Sequence, residues 1–126
     1  MKAKLISTGV ILFLLLAGFG NSIYVTARCE NWERQLTAAE TAAVEEDWET
    51  AQIQLDALYR SWEKGEDYLH IILHHEEVED ALVLMQQCRL FAALQDGDAL
   101  LAAGEQLRCQ YRHLAETEEL HLKNIL

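Results

Sequence analysis

Two carboxylate–histidine pairs recur at one spacing, Asp67-x-x-His70 and Glu118-x-x-His121. On a helix, residues three apart share a face, and paired carboxylates and imidazoles set this way hold di-metal centres inside helical bundles. His74 supplies a further imidazole. If two helices fold back on each other about Gly97, position i meets roughly position 194 − i, which sets Glu118 against the neighbourhood of Glu76 and His121 against that of Leu73. Glu118, His121, His74 and Asp67 are then the candidate ligands for zinc, or for a pair of iron or manganese ions. A complete di-iron site needs one glutamate from each of two more helices, and Glu33, Glu40, Glu49 and Glu63 have no inward phase. The same side chains fit a simpler arrangement, in which a carboxylate on a buried stripe accepts a hydrogen bond from a histidine or tyrosine, or lies at a wet end of the bundle. That second arrangement is the expectation, with no cofactor, and the metal site is the alternative.

Other chemistry lacks its residues. The chain has no glycine-rich phosphate loop, no Gly-x-Ser-x-Gly elbow and no His-Glu-x-x-His, and His74-His75-Glu76 is in the wrong order for a zinc protease. No enzyme is expected. Of the three cysteines, Cys88 and Cys109 are the pair that one hairpin would bring together, yet Cys109 falls on the face opposite Leu107 and Tyr111, which argues against a bridge. Cys29 is left free or paired between chains. Trp48 and Trp62 share a stripe with Leu55 and read as core. Trp32 fits either the core or an aromatic belt at a membrane surface. His75 reads as a packed or capping histidine.

These residues need elements to position them, and the composition says which kind. The 126 residues are 51% hydrophobic and 25% charged, which excludes wholesale disorder, and proline is absent, so long helices can run without interruption. Leu5 to Val25 carries no formal charge, and 21 residues rise about 31 Å as a helix, enough for a hydrocarbon core of about 30 Å. Leu5, Val10, Leu14, Phe19 and Val25 mark this anchor. Lys2 and Lys4 precede it, so the N-terminus is expected in the cytoplasm and the remainder outside, in a single-pass protein of the cell membrane. The small residues Val25-Thr26-Ala27 leave a cleaved signal peptide open as the rival. From Arg28 onward eight Lys and Arg stand against 21 Asp and Glu, a formal charge of about −13. So acidic a body repels phosphate backbones, and nucleic acid is not expected as a partner.

The expected organisation is therefore an anchor over 1–27 followed by an acidic extracytoplasmic domain over 28–126. The fold class is all-α, a transmembrane helix leading into an up-down bundle of three to four helices. Hydrophobic phase gives a first helix from the membrane to about Val44, a second from an Asp47 cap to a stop at Gly65, a third over Glu66–Leu94 and a fourth after Asp96-Gly97-Asp98. The third carries Ile71, His75, Val78, Leu82 and Met85 on one stripe. The fourth carries Leu100, Ala103, Leu107, Tyr111, Leu114, Glu118, His121 and Ile125. An internal repeat shows at an offset of 52, where Ala51, Leu55, Tyr59 and Arg60 match Ala103, Leu107, Tyr111 and Arg112. With these boundaries helices three and four outreach the first two by about 15 Å. The tip at Gly97 is then expected to project from the membrane.

Trp62-Glu-Lys, His75-Glu-Glu-Val-Glu79 and the terminal Glu118-Glu-Leu-His-Leu-Lys-Asn-Ile-Leu126, behind a short N-terminal anchor, resemble the bacterial family catalogued as domain of unknown function 4363. The resemblance covers most of the chain and implies a membrane-associated helical protein of spore-forming or related Gram-positive bacteria. It carries no activity across. His121 stands where the pattern leads one to expect a small polar residue. The function expected is an interaction or scaffold protein, held to the membrane by its N-terminal helix and binding another envelope protein through its acidic face or tip; the alternative is the carboxylate–histidine metal bundle.

Overall fold

The computed structural model describes residues 1–72 and 75–125, with the side chains of residues 70–72, 121, 122 and 125 outside that description. Four helices follow in order: α1 Lys2–Val44, α2 Trp48–Ile72, α3 His75–Ala93 and α4 Gly97–Ile125. α1 packs beside α2 and α4, and α3 completes the ring between them, an up-down-up-down bundle in which α1 and α3 stand diagonally opposed. The first helix does continue the apolar segment without a break. Its lower part, about 20 residues, stands free of the bundle with Leu5, Val10, Leu14 and Phe19 exposed. Packing begins at Ser22 and Val25, both buried, ahead of the Arg28 boundary read from charge.

Gly65 does not end the second helix. It lies inside α2 with an ordinary negative φ, facing the Arg28, Trp32 and Tyr24 side chains of α1, and the helix runs on through seven residues assigned above to the third. With those residues moved, α2 and α4 descend to similar depth and the two upper turns come side by side: Ala43, Val44 and Glu46 border one depression with Leu94, Gln95 and Asp96. The expected projection of the Gly97 tip is therefore absent.

Those two turns are copies of each other. In the first, Asp47 N–H donates to Ala42 O and Glu46 N–H to Ala43 O; in the second, Asp96 N–H donates to Phe91 O and Gln95 N–H to Ala92 O. Each is the nested pair of bonds that closes a helix through one left-handed residue, here Glu46 at φ 61° and Gln95 at φ 56°. An aspartate then caps the next helix, Asp47 accepting from Thr50 N–H at 3.2 Å and Asp96 from Ala99 N–H at 3.1 Å. The structural repeat thus runs at an offset of 49, three residues short of the 52 read from sequence.

At that offset the core is duplicated. Cys29, Trp32, Leu36, Ala39 and Ala43 of α1 correspond to Val78, Ala81, Met85, Cys88 and Ala92 of α3, and all are buried. Ala51, Leu58, Trp62 and Leu69 of α2 correspond to Leu100, Leu107, Tyr111 and Glu118 of α4, again all buried. Leu55 corresponds to Gly104, whose missing side chain lets α4 approach α1: a Cβ there would come to 3.1 Å from Glu40 Oε2.

Candidate functional site

The middle of the bundle is a buried aromatic layer. Trp32, Trp62 and Tyr111 meet with ring centroids at 4.9, 5.5 and 6.1 Å. Trp32 therefore belongs to the core and not to a membrane belt; its indole N–H donates to Ser61 Oγ at 3.0 Å. Trp62 is core as expected, whereas Trp48 only lies against the core, its ring over Gly97. Cys29 and Cys88 lie buried near Tyr111, and burial pushes both thiols up to about 12. Cys109 is exposed while Cys88 is buried, so the two do not bridge, as the phase of α4 argued, and Cys29 is free as well.

Two polar clamps close the sides, and the repeat relates them. Arg108 of α4 pairs with Glu40 of α1 and with Glu105 one turn away. At the equivalent positions Arg89 of α3 pairs with Asp56 at 3.1 Å and lies 4.5 Å over the ring of Tyr59. Arg89 thus stands for Glu40, and Tyr59 for Arg108. These groups answer one another and offer no reactive constellation.

Glu118 is the exception to the duplicated core. It is 7% exposed, in the place that Leu69 fills in the first hairpin. α3 and α4 are set about a turn or more apart from the pairing assumed above: Glu77 Oε1 lies 3.0 Å from His113 Nε2, and Gln110 donates to Glu77 O. Glu118 is accordingly carried past Glu76 to the neighbourhood of Tyr68. Burial first, and then the charge of Glu118, push the Tyr68 phenol up. Tyr68 donates to Asn21 Oδ1 and packs edge-on against Tyr24. Asp67 is exposed on α2, His74 lies outside the described residues, and the side chains of His70 and His121 are outside the description. Among the described residues no three His, Cys, Asp or Glu side chains converge as a metal site. His75 is exposed and pairs with Glu79 at 3.3 Å, one turn along α3, so it is not a packed histidine.

The upper end has a different character. Val44 is 68% and Leu94 65% exposed, on the rim of a depression of about 910 Å³ floored by Trp48 and Gly97. Around it stand Glu45, Glu46, Asp47, Glu49, Asp96 and Asp98, and residues 41–59 and 90–107 contain no Lys, Arg or His. Arg89 and Arg108 come next below, paired with Asp56 and Glu40, and Arg28, Lys64, Arg112 and Lys123 lie at or below the aromatic layer. Sequence reading found the acidic turns and missed this segregation, because it appears only when antiparallel segments are stacked by height.

The family model of a domain of unknown function (DUF4363) matches residues 19–125, beginning within a turn of where α1 enters the bundle. No curated protein and no solved structure matches the chain.

Proposed function

The chain belongs to that family, and from this premise we propose that it is a membrane-anchored interaction protein which holds an acidic, apolar-centred surface away from the bilayer to bind another envelope protein. One observation carries the reading: the two ends of a single rigid helix are opposite in kind. The lower end of α1 carries an apolar stretch long enough by length and composition to span a membrane, and most of it is free of packing partners. The upper end opens into the depression with Val44 and Leu94, ringed by carboxylates. A matching partner presents an apolar side chain within a basic rim, since like charge would repel it. Lys2 and Lys4 ahead of the span favour a cytoplasmic N-terminus and a bundle outside the cell. Retention of the span is supported by packing, because cleavage after Ala27 would remove Val25 from the core and separate Asn21 from Tyr68.

The test places a photo-crosslinking residue at Val44, Leu94 or Ile53 of the full chain in its own membrane. Adducts with one envelope protein are expected from Val44 and Leu94. They should be absent from Ile53, on the flank, and lost when Glu45, Glu46, Asp96 and Asp98 are replaced by lysine. Adducts that survive the charge reversal, or that form equally from Ile53, would show that the upper end is not the binding surface.

A further inference from the structure

Because α1 is one uninterrupted helix, its apolar span and the bundle share an axis, and the heights of the other helices can be read against it. Tyr68 of α2 lies beside Asn21 and Tyr24, with ring centroids 4.9 Å apart in the second case. Ala115, Glu116 and Glu119 of α4 line a cleft with Thr26 and Cys29. α2 continues one turn beyond Tyr68 to Ile72, and α4 continues past Glu119 to Ile125. At about 1.5 Å per residue on antiparallel helices, both ends reach the height of Ala17 to Gly20.

Below Asn21, the apolar run from Leu5 rises only about 24 Å, roughly 6 Å short of a hydrocarbon core of about 30 Å. The missing rise corresponds to Asn21–Tyr24, where α1 is already inside the bundle and Ser22 is buried. A bilayer that keeps its thickness around α1 therefore meets the lower face of the bundle. We infer that this face is seated in the outer interfacial layer of the membrane that α1 crosses, with lipid as its occupant. The inference rests on the reading of α1 as a span. Apolar side chains at that height fit it, Ile23 being 56% and Leu120 57% exposed, while the exposed carboxylates Asp67 and Glu119 belong on the water side of the layer. Tyr24 and Tyr68 set amphipathic rings where such rings gather at membrane surfaces. Lys123, exposed in the last turn of α4, is long enough to reach headgroup phosphates. The span itself sets lipid beneath this face, which is why lipid is the occupant inferred.

The full chain reconstituted in phosphatidylcholine vesicles brominated near the carbonyl end of the acyl chains tests the seating, because bromine quenches only nearby indoles. Leu120→Trp is expected to lose most of its added emission, and Leu94→Trp at the upper end none. Asn124→Trp, also exposed on α4, gives the same reading should the first variant fail to fold, with helicity by circular dichroism as the check. Phe13→Trp reports the anchor in vesicles brominated deeper in the chains. Quenching of Phe13→Trp, with Leu120→Trp and Asn124→Trp as unaffected as Leu94→Trp, would overturn the seating and leave the anchor standing. An unquenched Phe13→Trp in protein that washes off the vesicles at alkaline pH would overturn the anchor, and the seating with it.

Discussion

A thiol held up to about 12 by burial is neither nucleophile nor ligand at neutral pH, which sorts the cysteines without reference to any motif. Iodoacetamide at pH 8 should modify the folded chain once, at exposed Cys109, and Cys109→Ser should abolish the fast modification while leaving two further sites in urea. The same shifts fix an alkaline limit. Cys29 and Cys88 ionise near 9.0 when unfolded and near 12 when folded, so the unfolded chain releases protons first as pH rises. Their contribution is complete below pH 9 and is lost between about 9 and 12, and a Cys29→Ala, Cys88→Ala chain should show a shallower fall in urea midpoint over that range. Glu118 is a separate case, one of packing. It occupies a leucine position of the repeated core, and an apolar side chain at a buried carboxylate site commonly stabilises. Glu118→Leu is expected to raise unfolding free energy by about 1 kcal/mol or more in detergent. A loss of that size would mean that the carboxylate is held for a purpose the described residues do not show.

Each upper turn closes through a left-handed residue with a side chain, Glu46 or Gln95, where glycine would carry no Cβ penalty. Glu46→Gly and Gln95→Gly should each stabilise by about 1 kcal/mol, read as a rise in urea midpoint at constant slope. These turns also explain what the sequence reveals and what it hides. Asp47 announces its helix by cap chemistry, and the stripe from Leu100 to Glu118 follows from helical period, both as expected; Asp96, read from sequence only as part of a turn, caps α4 in the same way. Gly65 misleads, since a helix stop needs a left-handed residue followed by a cap, and Gly65 has neither: it faces the Tyr24, Arg28 and Trp32 side chains of α1 in mid-helix. The pairing of α3 with α4 is displaced for a separate reason: the turn centres on Gln95, ahead of Gly97, and this moves the neighbour assigned to Glu118. Buried Glu118 itself is readable from phase, whereas its company of Tyr68 and Asn21 depends on how two hairpins are stacked.

Two hairpins of one pattern raise the question of why each pairs with the other and not with a copy of itself. The aromatic layer answers it by volume. Trp32 and Trp62 in the first hairpin correspond to Ala81 and Tyr111 in the second, so the mixed layer holds three large side chains and one small. Two first hairpins would force four indoles into that layer, and two second hairpins would leave a void where both alanines meet; each costs energy in a close-packed interior. Selection between hairpins therefore depends on total volume, and the large residue is movable. Trp32→Ala should cost about 3–5 kcal/mol by opening a cavity, and Ala81→Trp about 1–3 kcal/mol or more by overpacking. Together they restore the volume with the indole on the diagonal helix. The double variant should then be more stable than the sum of the single losses by at least about 1 kcal/mol, measured as a coupling energy from four urea titrations of the full chain in detergent. Additive losses would mean that the two positions do not share a layer, and that the duplicated core is a resemblance of pattern without a common energetic role.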